Sequence, residues 1–326
     1  MNRKADEEMN IIRMSGGLER QMFQYAFYLK LLSLGREVKF DDINEYRDEL
    51  TRPIMLSVFN IDYPRATWDE IISFTDQSRN IKDRFRRFFG NVKRNVIKEQ
   101  GFYDPSIMEQ DNVYIDGKFM SQKYFEDILP EVRKTYTFPD IENLSLPPKA
   151  NANFLIYYDE ITRCDSVGIH IRRSDSRYNE ELYKDICTKE YYGAAIKYVV
   201  ERYPDARFFV FSNEPKWIKG WLKDIVMTQI SEGMTREEIT ELRKKFVLVE
   251  ANDEYTSYLD MFLLSKCKHN IMSNSSFSWW GSWINDNPDK IQIAPAQWLN
   301  GVDCSDIYTE GMVLINSKGR VDKRIK

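Results

Sequence analysis

Two successive arginines, Arg172 and Arg173, close the run Ser166-Val-Gly-Ile-His-Ile-Arg-Arg-Ser-Asp175. The residues before them are apolar and read as a strand, so alternation puts His170 and Arg172 on one side. Guanidinium groups at the end of a buried strand are costly unless they meet anions. A guanidinium grips phosphate oxygens with two parallel hydrogen bonds. Phosphate recognition is therefore the chemistry expected here. Asp175 has two readings: it orients one of the arginines, or it forms a structural ion pair with Arg173.

A second cluster lies in His269-Asn-Ile-Met-Ser-Asn-Ser-Ser-Phe-Ser-Trp-Trp-Gly281, which reads as strand, polar turn and helix. Backbone N–H groups at a helix start lack partners within the helix and attract anions. Ser275 and Ser276 add hydroxyl donors there, or else cap the helix over 277–284. Trp279, Trp280 and Trp283 have helical spacing and are expected in the core rather than as a sugar platform. A third cluster, Ser15-Gly-Gly-Leu-Glu-Arg-Gln21, follows another strand. Gly16 and Gly17 allow close approach of a ligand, or simply make a strand-to-helix turn. A GxGxxG spacing is absent, which argues against a nicotinamide-dependent oxidoreductase. Asp260 stands in an apolar helix. Its carboxylate matches the paired N–H donors of guanine, although a solvent-facing position is the plainer reading.

These clusters need a frame. Short apolar runs at 10–14, 37–41, 113–116, 166–171, 207–211, 246–249, 269–272 and 291–294 read as buried parallel strands. Helical periodicity fills 21–34, 191–203, 236–245 and 255–266, with Gly35 and Pro204 as terminators. Alternation of the two predicts α/β architecture. Pro139, Pro147 and Pro148 interrupt the pattern, and 143–153 is polar and turn-rich. The expectation is two Rossmann-like domains, 1–150 and 151–326, facing a cleft with ligands at the carboxyl ends of the strands.

Composition narrows the function. The 326 residues carry a formal net charge of −4, which argues against nucleic acid as a partner. No apolar run is long enough to span a bilayer, and the polar start lacks a signal-peptide core, so a cytoplasmic location is expected. Four scattered cysteines suggest free thiols and no metal site. Only two histidines are present, and no GxSxG elbow accompanies them, which disfavours a serine hydrolase. Between 83 and 98, six basic residues interleave with Phe85, Phe88, Phe89 and Val92. Such a helix packs its apolar side inward, the commoner arrangement, or lies on an anionic lipid surface.

Taken together, the motifs resemble the α-1,2-fucosyltransferases of glycosyltransferase family 11 over about residues 10 to 300. The strings that carry the resemblance are Gly16-Gly-Leu with Gln21-Met-Phe-Gln-Tyr-Ala-Phe27, His170-Ile-Arg-Arg-Ser-Asp175, and Asp260 followed by Ser275-Ser-Phe-Ser-Trp-Trp-Gly281. The resemblance implies a GT-B fold and GDP-β-L-fucose as donor. It also implies inversion at the anomeric carbon, no metal or other cofactor, and O2 of a terminal galactose as acceptor. A galactose-terminated oligosaccharide or a lipid-linked glycan would be the partner. Donor-binding residues would be Gly16, Gly17, His170, Arg172, Arg173, Asp175, Asp260, Asn274, Ser275, Ser276 and Phe277. Arg172 would bind the β-phosphate, with His170 and Asp260 at the guanine or ribose.

One departure stands out. The family reads Gly-Gly-Leu-Gly-Asn-Gln at the first turn, where this chain has Glu19 and Arg20. Arginine is bulky and always charged, and glutamate does not readily take a positive φ. Arg172, Glu19 and Arg20 are the catalytic candidates. Arg20 takes over phosphate binding, Glu19 serves as an acceptor-side carboxylate, or the chain has weakened activity. The competing functions are a transferase of different linkage and an impaired homologue that binds GDP-sugar or glycan.

Overall fold

A computed structural model describes residues 9–46, 53–78, 80–88, 94–143, 146, 148–172, 180–249 and 255–325. The chain divides into two units, Met1–Phe138 and Pro139–Lys326.

In the first unit, β1 (Met9–Arg13), β2 (Glu37–Asp41), β3 (Val96–Lys98) and β4 (Tyr114–Asp116) pair in parallel, in the order β2-β1-β4-β3. Ile11 and Ile12 of β1 face opposite ways and are both fully buried, as a central strand covered on two faces requires. Helix α1 (Leu18–Ser33) returns the chain from β1 to β2. Met22, Phe23, Ala26, Phe27 and Leu31 anchor it in the core. It stops at Gly35, φ 78°, where the N–H groups of Gly35 and Arg36 donate to the carbonyls of Leu32 and Leu31. This is a Schellman closure, which glycine makes without steric cost. The remaining helices are α2 (Trp68–Thr75), held by a Thr67–Glu70 capping box, α3 (Ile81–Phe88) and α4 (Leu129–Thr135).

Two fully buried glutamines, Gln21 and Gln24, sit among the apolar residues of α1. Their spacing puts them on one helix face. The Gln24 amide donates to the carbonyls of Arg13 (3.0 Å) and Gly117 (2.8 Å), and its oxygen accepts from Ser15 N–H at 3.0 Å. It thereby ties the ends of β1 and β4 to the helix. The Gln21 amide donates to the carbonyls of Gly16 and Pro53, each at 3.0 Å, while its oxygen accepts from Met55 N–H at 2.8 Å.

The second unit holds β5 (Ser166–Ile171), β6 (Arg207–Ser212), β7 (Phe246–Leu248), β8 (His269–Ile271), β9 (Gln292–Pro295), β10 (Val313–Ile315) and β11 (Val321–Arg324). Their order is β11-β10-β9-β8-β5-β6-β7, and only the β10–β11 pairing is antiparallel. Its helices are α5 (Pro148–Thr162), α6 (Glu180–Tyr183), α7 (Lys189–Val200), α8 (Pro215–Ile225), α9 (Arg236–Lys244), α10 (Ser257–Lys266) and α11 (Ser276–Ile284). Every residue of β5 is buried. Leu264 of α10 fills the space beside two glycines: a Cβ on Gly168 of β5 or on Gly281 of α11 would come within 2.5 Å of its methyl groups. Trp279, Trp280 and Trp283 are core residues, as their spacing predicts.

Three expectations change. The stretch read as turn-rich opens α5, because proline is well tolerated in the first turn of a helix. Strands β3, β10 and β11 are additions to the expected set: β3 and β11 are not buried and lack an apolar run, and the short apolar run of β10 was passed over. The inward packing expected for α3 is reversed: Ile81, Phe85 and Phe88 are 80%, 65% and 82% exposed.

Replacing Gln24 by leucine keeps the volume but strands one N–H and two carbonyls in the core. The expected loss is about 2–4 kcal/mol, read as a lower guanidinium midpoint for the transition of the first unit. An unchanged midpoint would show that these bonds do not hold the turn.

Candidate active site

Parallel crossovers bring strand carboxyl ends and helix starts to the same edge of a sheet. In the second unit that edge carries Arg172, directly after β5, and the turn 272–275 between β8 and α11. The β5–β8 register, with Ile169 opposite Ile271, runs the turn alongside His170 and Arg172. Helix α10 also follows a strand and begins at this edge, with half-buried Asp260 in its first turn.

His170 is 6% exposed. Its Nδ1 lies 2.8 Å from Ser273 Oγ, its ring centroid is 5.3 Å from that of Phe277, and its carbonyl accepts from the Tyr192 hydroxyl at 3.0 Å. Burial, and then the Arg172 guanidinium, push its pKa down from 6.5 to about 3, so the imidazole is neutral at ordinary pH. Ser273 is fully buried, which suits a clamp between two strand ends and not a nucleophile. The Tyr191 hydroxyl holds the turn from below by donating to the Met272 carbonyl at 2.5 Å.

Ser275 occupies the N-cap position of α11, yet its hydroxyl makes no capping bond. The Ser278 hydroxyl instead donates to the Ser273 and Ser275 carbonyls, at 3.2 and 3.1 Å. Among the described residues, the N–H groups of Ser276 and Phe277 have no acceptor. They open on the positive end of the helix dipole. Asn274 is used within the protein: its amide donates to the Trp298 carbonyl at 3.1 Å and its oxygen accepts from Cys187 Sγ at 3.4 Å. The edge thus gathers His170, Arg172, Asn274, Ser275, Ser276 and Phe277, while Arg173 and Asp175 lie outside the described residues.

The first turn belongs to the other unit. Gly16 takes the left-handed φ of 74°, whereas Glu19 and Arg20 are already helical. The strain foreseen for Glu19 is therefore absent, and its charge suits the first turn of α1. Arg20 folds back over Gly16, its Cδ and Nε 3.0 Å from where a Cβ would stand. Beside it opens a cleft of about 350 Å³ lined by Arg13, Glu45, Glu99, Asp116 and Lys118, among others. A second cavity, about 410 Å³, borders Tyr203, Ile291 and Val313 at the opposite, amino-terminal edge of the larger sheet, away from Arg172.

Sequence reasoning passed over Ser273, Tyr192, Glu99 and Lys118, which carry no spacing signal. Gln21 and Gln24 did carry one, as two amides one turn apart in an apolar helix. Among the described residues, no three His, Cys, Asp or Glu side chains converge to hold a metal ion. No helix among them is long and apolar enough to cross a membrane.

A depressed histidine pKa gives a definite pH signature. Between pH 6.5 and 3 the unfolded chain binds the proton that folded His170 refuses, so stability falls as pH falls through that window. From pH 7.5 to 5.0 the contribution is about 2 kcal/mol. Denaturant unfolding at both pH values should show His170→Gln losing that much less than the wild type. Equal losses would place the titration elsewhere.

The comparisons with known proteins agree in direction. The chain is 27% identical to the O-antigen biosynthesis glycosyltransferase WbnK of Escherichia coli, over 92% of this chain and 98% of that protein. It is 29% identical to an alpha-1,2-colitosyltransferase of Escherichia coli, over 89% and 92%. Among solved structures, fucosyltransferase NodZ from Bradyrhizobium matches 93% of this chain and 97% of its own, at 13% identity and a TM-score of 0.43. The profile described as Glycosyl transferase family 11 matches residues 1–316, which includes the first turn, the end of β5 and the turn into α11. The chain belongs to glycosyl transferase family 11.

Proposed function

We propose that this glycosyltransferase moves L-fucose from GDP-β-L-fucose to O2 of a terminal galactose, with inversion and without a metal ion. The observation that carries the reading is the placement of Arg172 and of the N–H groups of Ser276 and Phe277 at one sheet edge. These are the cationic and dipolar groups that a departing diphosphate requires. Galactose O2 attacks C1 of the fucose and releases its proton to solvent, while the bond from C1 to the β-phosphate oxygen breaks on the opposite face and GDP leaves. Positive charge grows on the sugar ring and negative charge on the β-phosphate. Arg172 and the α11 dipole stabilise the latter, the work a divalent ion does elsewhere. Neutral His170 clamps the strand end through Ser273, and Asp260 at the start of α10 would meet the guanine N–H pair.

Calorimetry with EDTA present tests the donor. GDP should bind in preference to UDP and ADP, and Arg172→Ala should weaken GDP binding and lower kcat about 100- to 1,000-fold. No GDP binding would reject the donor site. A second reading, transfer of colitose, is favoured by the relative of that name, and a donor competition assay separates the two. Turnover on any galactoside rejects the impaired-homologue reading.

The acceptor side of the proposal is a galactose-terminated oligosaccharide or lipid-linked glycan at the inner face of the cytoplasmic membrane. Exposed Ile81, Phe85 and Phe88, in a segment rich in lysine and arginine, suit an anionic lipid surface. Sedimentation with phosphatidylglycerol vesicles should carry the protein down at low salt, and Phe85→Ser with Phe88→Ser should release it. No sedimentation of the wild type would reject the contact.

A further inference from the structure

The cleft beside the first turn holds more positive charge than its own acids neutralise. Arg13 donates to Glu45 at 2.8 Å and to Asp116 at 3.4 Å, and Lys98 lies 3.7 Å from Asp116. Glu99 is occupied in another way. Its oxygens accept from the N–H groups of Lys118 (2.7 Å) and Phe119 (3.0 Å) and from the Tyr124 hydroxyl (2.9 Å). Glu45 and Asp116 are thus paired with cations, whereas Glu99 is held by neutral donors and keeps its charge beside Lys118.

Arg20 and Lys118 remain. Neither side chain has a hydrogen-bond or ion-pair partner among the described residues. They nevertheless line one cleft, and placing like charges together there is unfavourable. Lys118 keeps much of its surface open to solvent, but its ammonium sits low enough that desolvation, and then Arg20, hold its pKa below the usual lysine value. Gly16 permits the arrangement, because the aliphatic end of Arg20 fills the space a Cβ would take. Glu99 offsets part of the Lys118 charge, yet among the described residues the cleft still sets four basic side chains, Arg13, Arg20, Lys98 and Lys118, against three carboxylates, Glu45, Glu99 and Asp116, an excess of positive charge that suits an oxyanion.

We infer that Arg20 and Lys118 bind an acidic group of the acceptor, so that this enzyme takes an acidic saccharide: a uronic acid carboxylate or a sugar phosphate. The inference rests on the glycosyl-transfer reading above and deepens it. It also gives the departure at the first turn a purpose. Replacing an uncharged residue by arginine changes which glycan is accepted. A carboxylate or phosphate within reach of both cations gains charge-assisted hydrogen bonds that a neutral hydroxyl does not match.

The test uses the full chain and three probes: methyl β-D-galactopyranoside, its C6 carboxylate counterpart methyl β-D-galactopyranosiduronate, and galactose 6-phosphate. Dissociation constants come from NMR titration, with GDP binding measured in parallel. At least one acidic probe should bind ten or more times tighter than the neutral galactoside. The advantage should shrink as salt is raised, and Arg20→Gln with Lys118→Gln should reduce it to less than twofold. GDP affinity and melting temperature should stay unchanged in that variant. Equal binding of neutral and acidic probes by the wild type would overturn the inference. So would an acidic preference that survives in the double variant. Loss of GDP affinity with the acidic preference intact would also overturn it, by assigning the two cations to the donor. Failure of GDP to bind the wild type while the acidic preference holds would reject the donor reading alone.

Discussion

Parallel strand pairing is the constraint from which the rest of this molecule follows. A strand that must lie parallel to its neighbour sends the chain back across the sheet through a helix. Each return leaves a strand end and a helix start at the same edge. Unpaired N–H groups, helix dipoles and loop residues therefore accumulate there without any special arrangement. In the larger sheet, Arg172, the start of α11 and the start of α10 share that edge because β8, β5, β6 and β7 are successive parallel neighbours. In the smaller sheet, the turn after β1 and the end of β4 adjoin for the same reason.

An edge rich in polar backbone needs rigid support, and the two units supply it in a similar way. Buried side chains from the covering helices reach back to the strand ends. Gln24 does so from α1, and Tyr191 and Tyr192 do so from α7. Each takes up a carbonyl that the ladder has left behind. His170 adds a neutral ring bonded to Ser273, so the strand end beside Arg172 is fixed without a further charge. Preorganisation of this kind is what electrostatic catalysis depends on, because donors that need not reorient lose nothing as charge develops.

Much of this was legible in the sequence, and the remainder was hidden for physical reasons. Apolar runs of four to six residues marked β1, β2, β5, β6 and β8 because both faces of a parallel sheet are buried and the run is continuous. The strand ending in Arg172 and the serine turn before α11 could be located from residue type alone. Strands β3 and β11 could not, since neither is buried and neither forms a continuous apolar run, whereas β10 does form one and was passed over. Helix α3 has the pattern of an inward-packing helix, and periodicity cannot tell which medium its apolar side meets. The roles of Ser273, Tyr192 and Lys118 depend on neighbours more than 20 residues away in the chain, and no local pattern encodes those. Glu19 looked strained because a glycine stands there in related sequences. Its helical φ shows that the left-handed residue is Gly16.

Leu264 has a consequence of another kind. Its methyl groups occupy volume that Gly168 on the sheet and Gly281 on α11 leave open. One side chain of α10 thus sets the spacing to both β5 and α11. An alanine at either glycine forces Leu264 to move its methyl groups or give way to a smaller residue, and a smaller residue there leaves a void until a glycine is filled. Among related chains the three positions should change as a linked set, a covariation set by packing volume and separate from any selection on the sugar transferred.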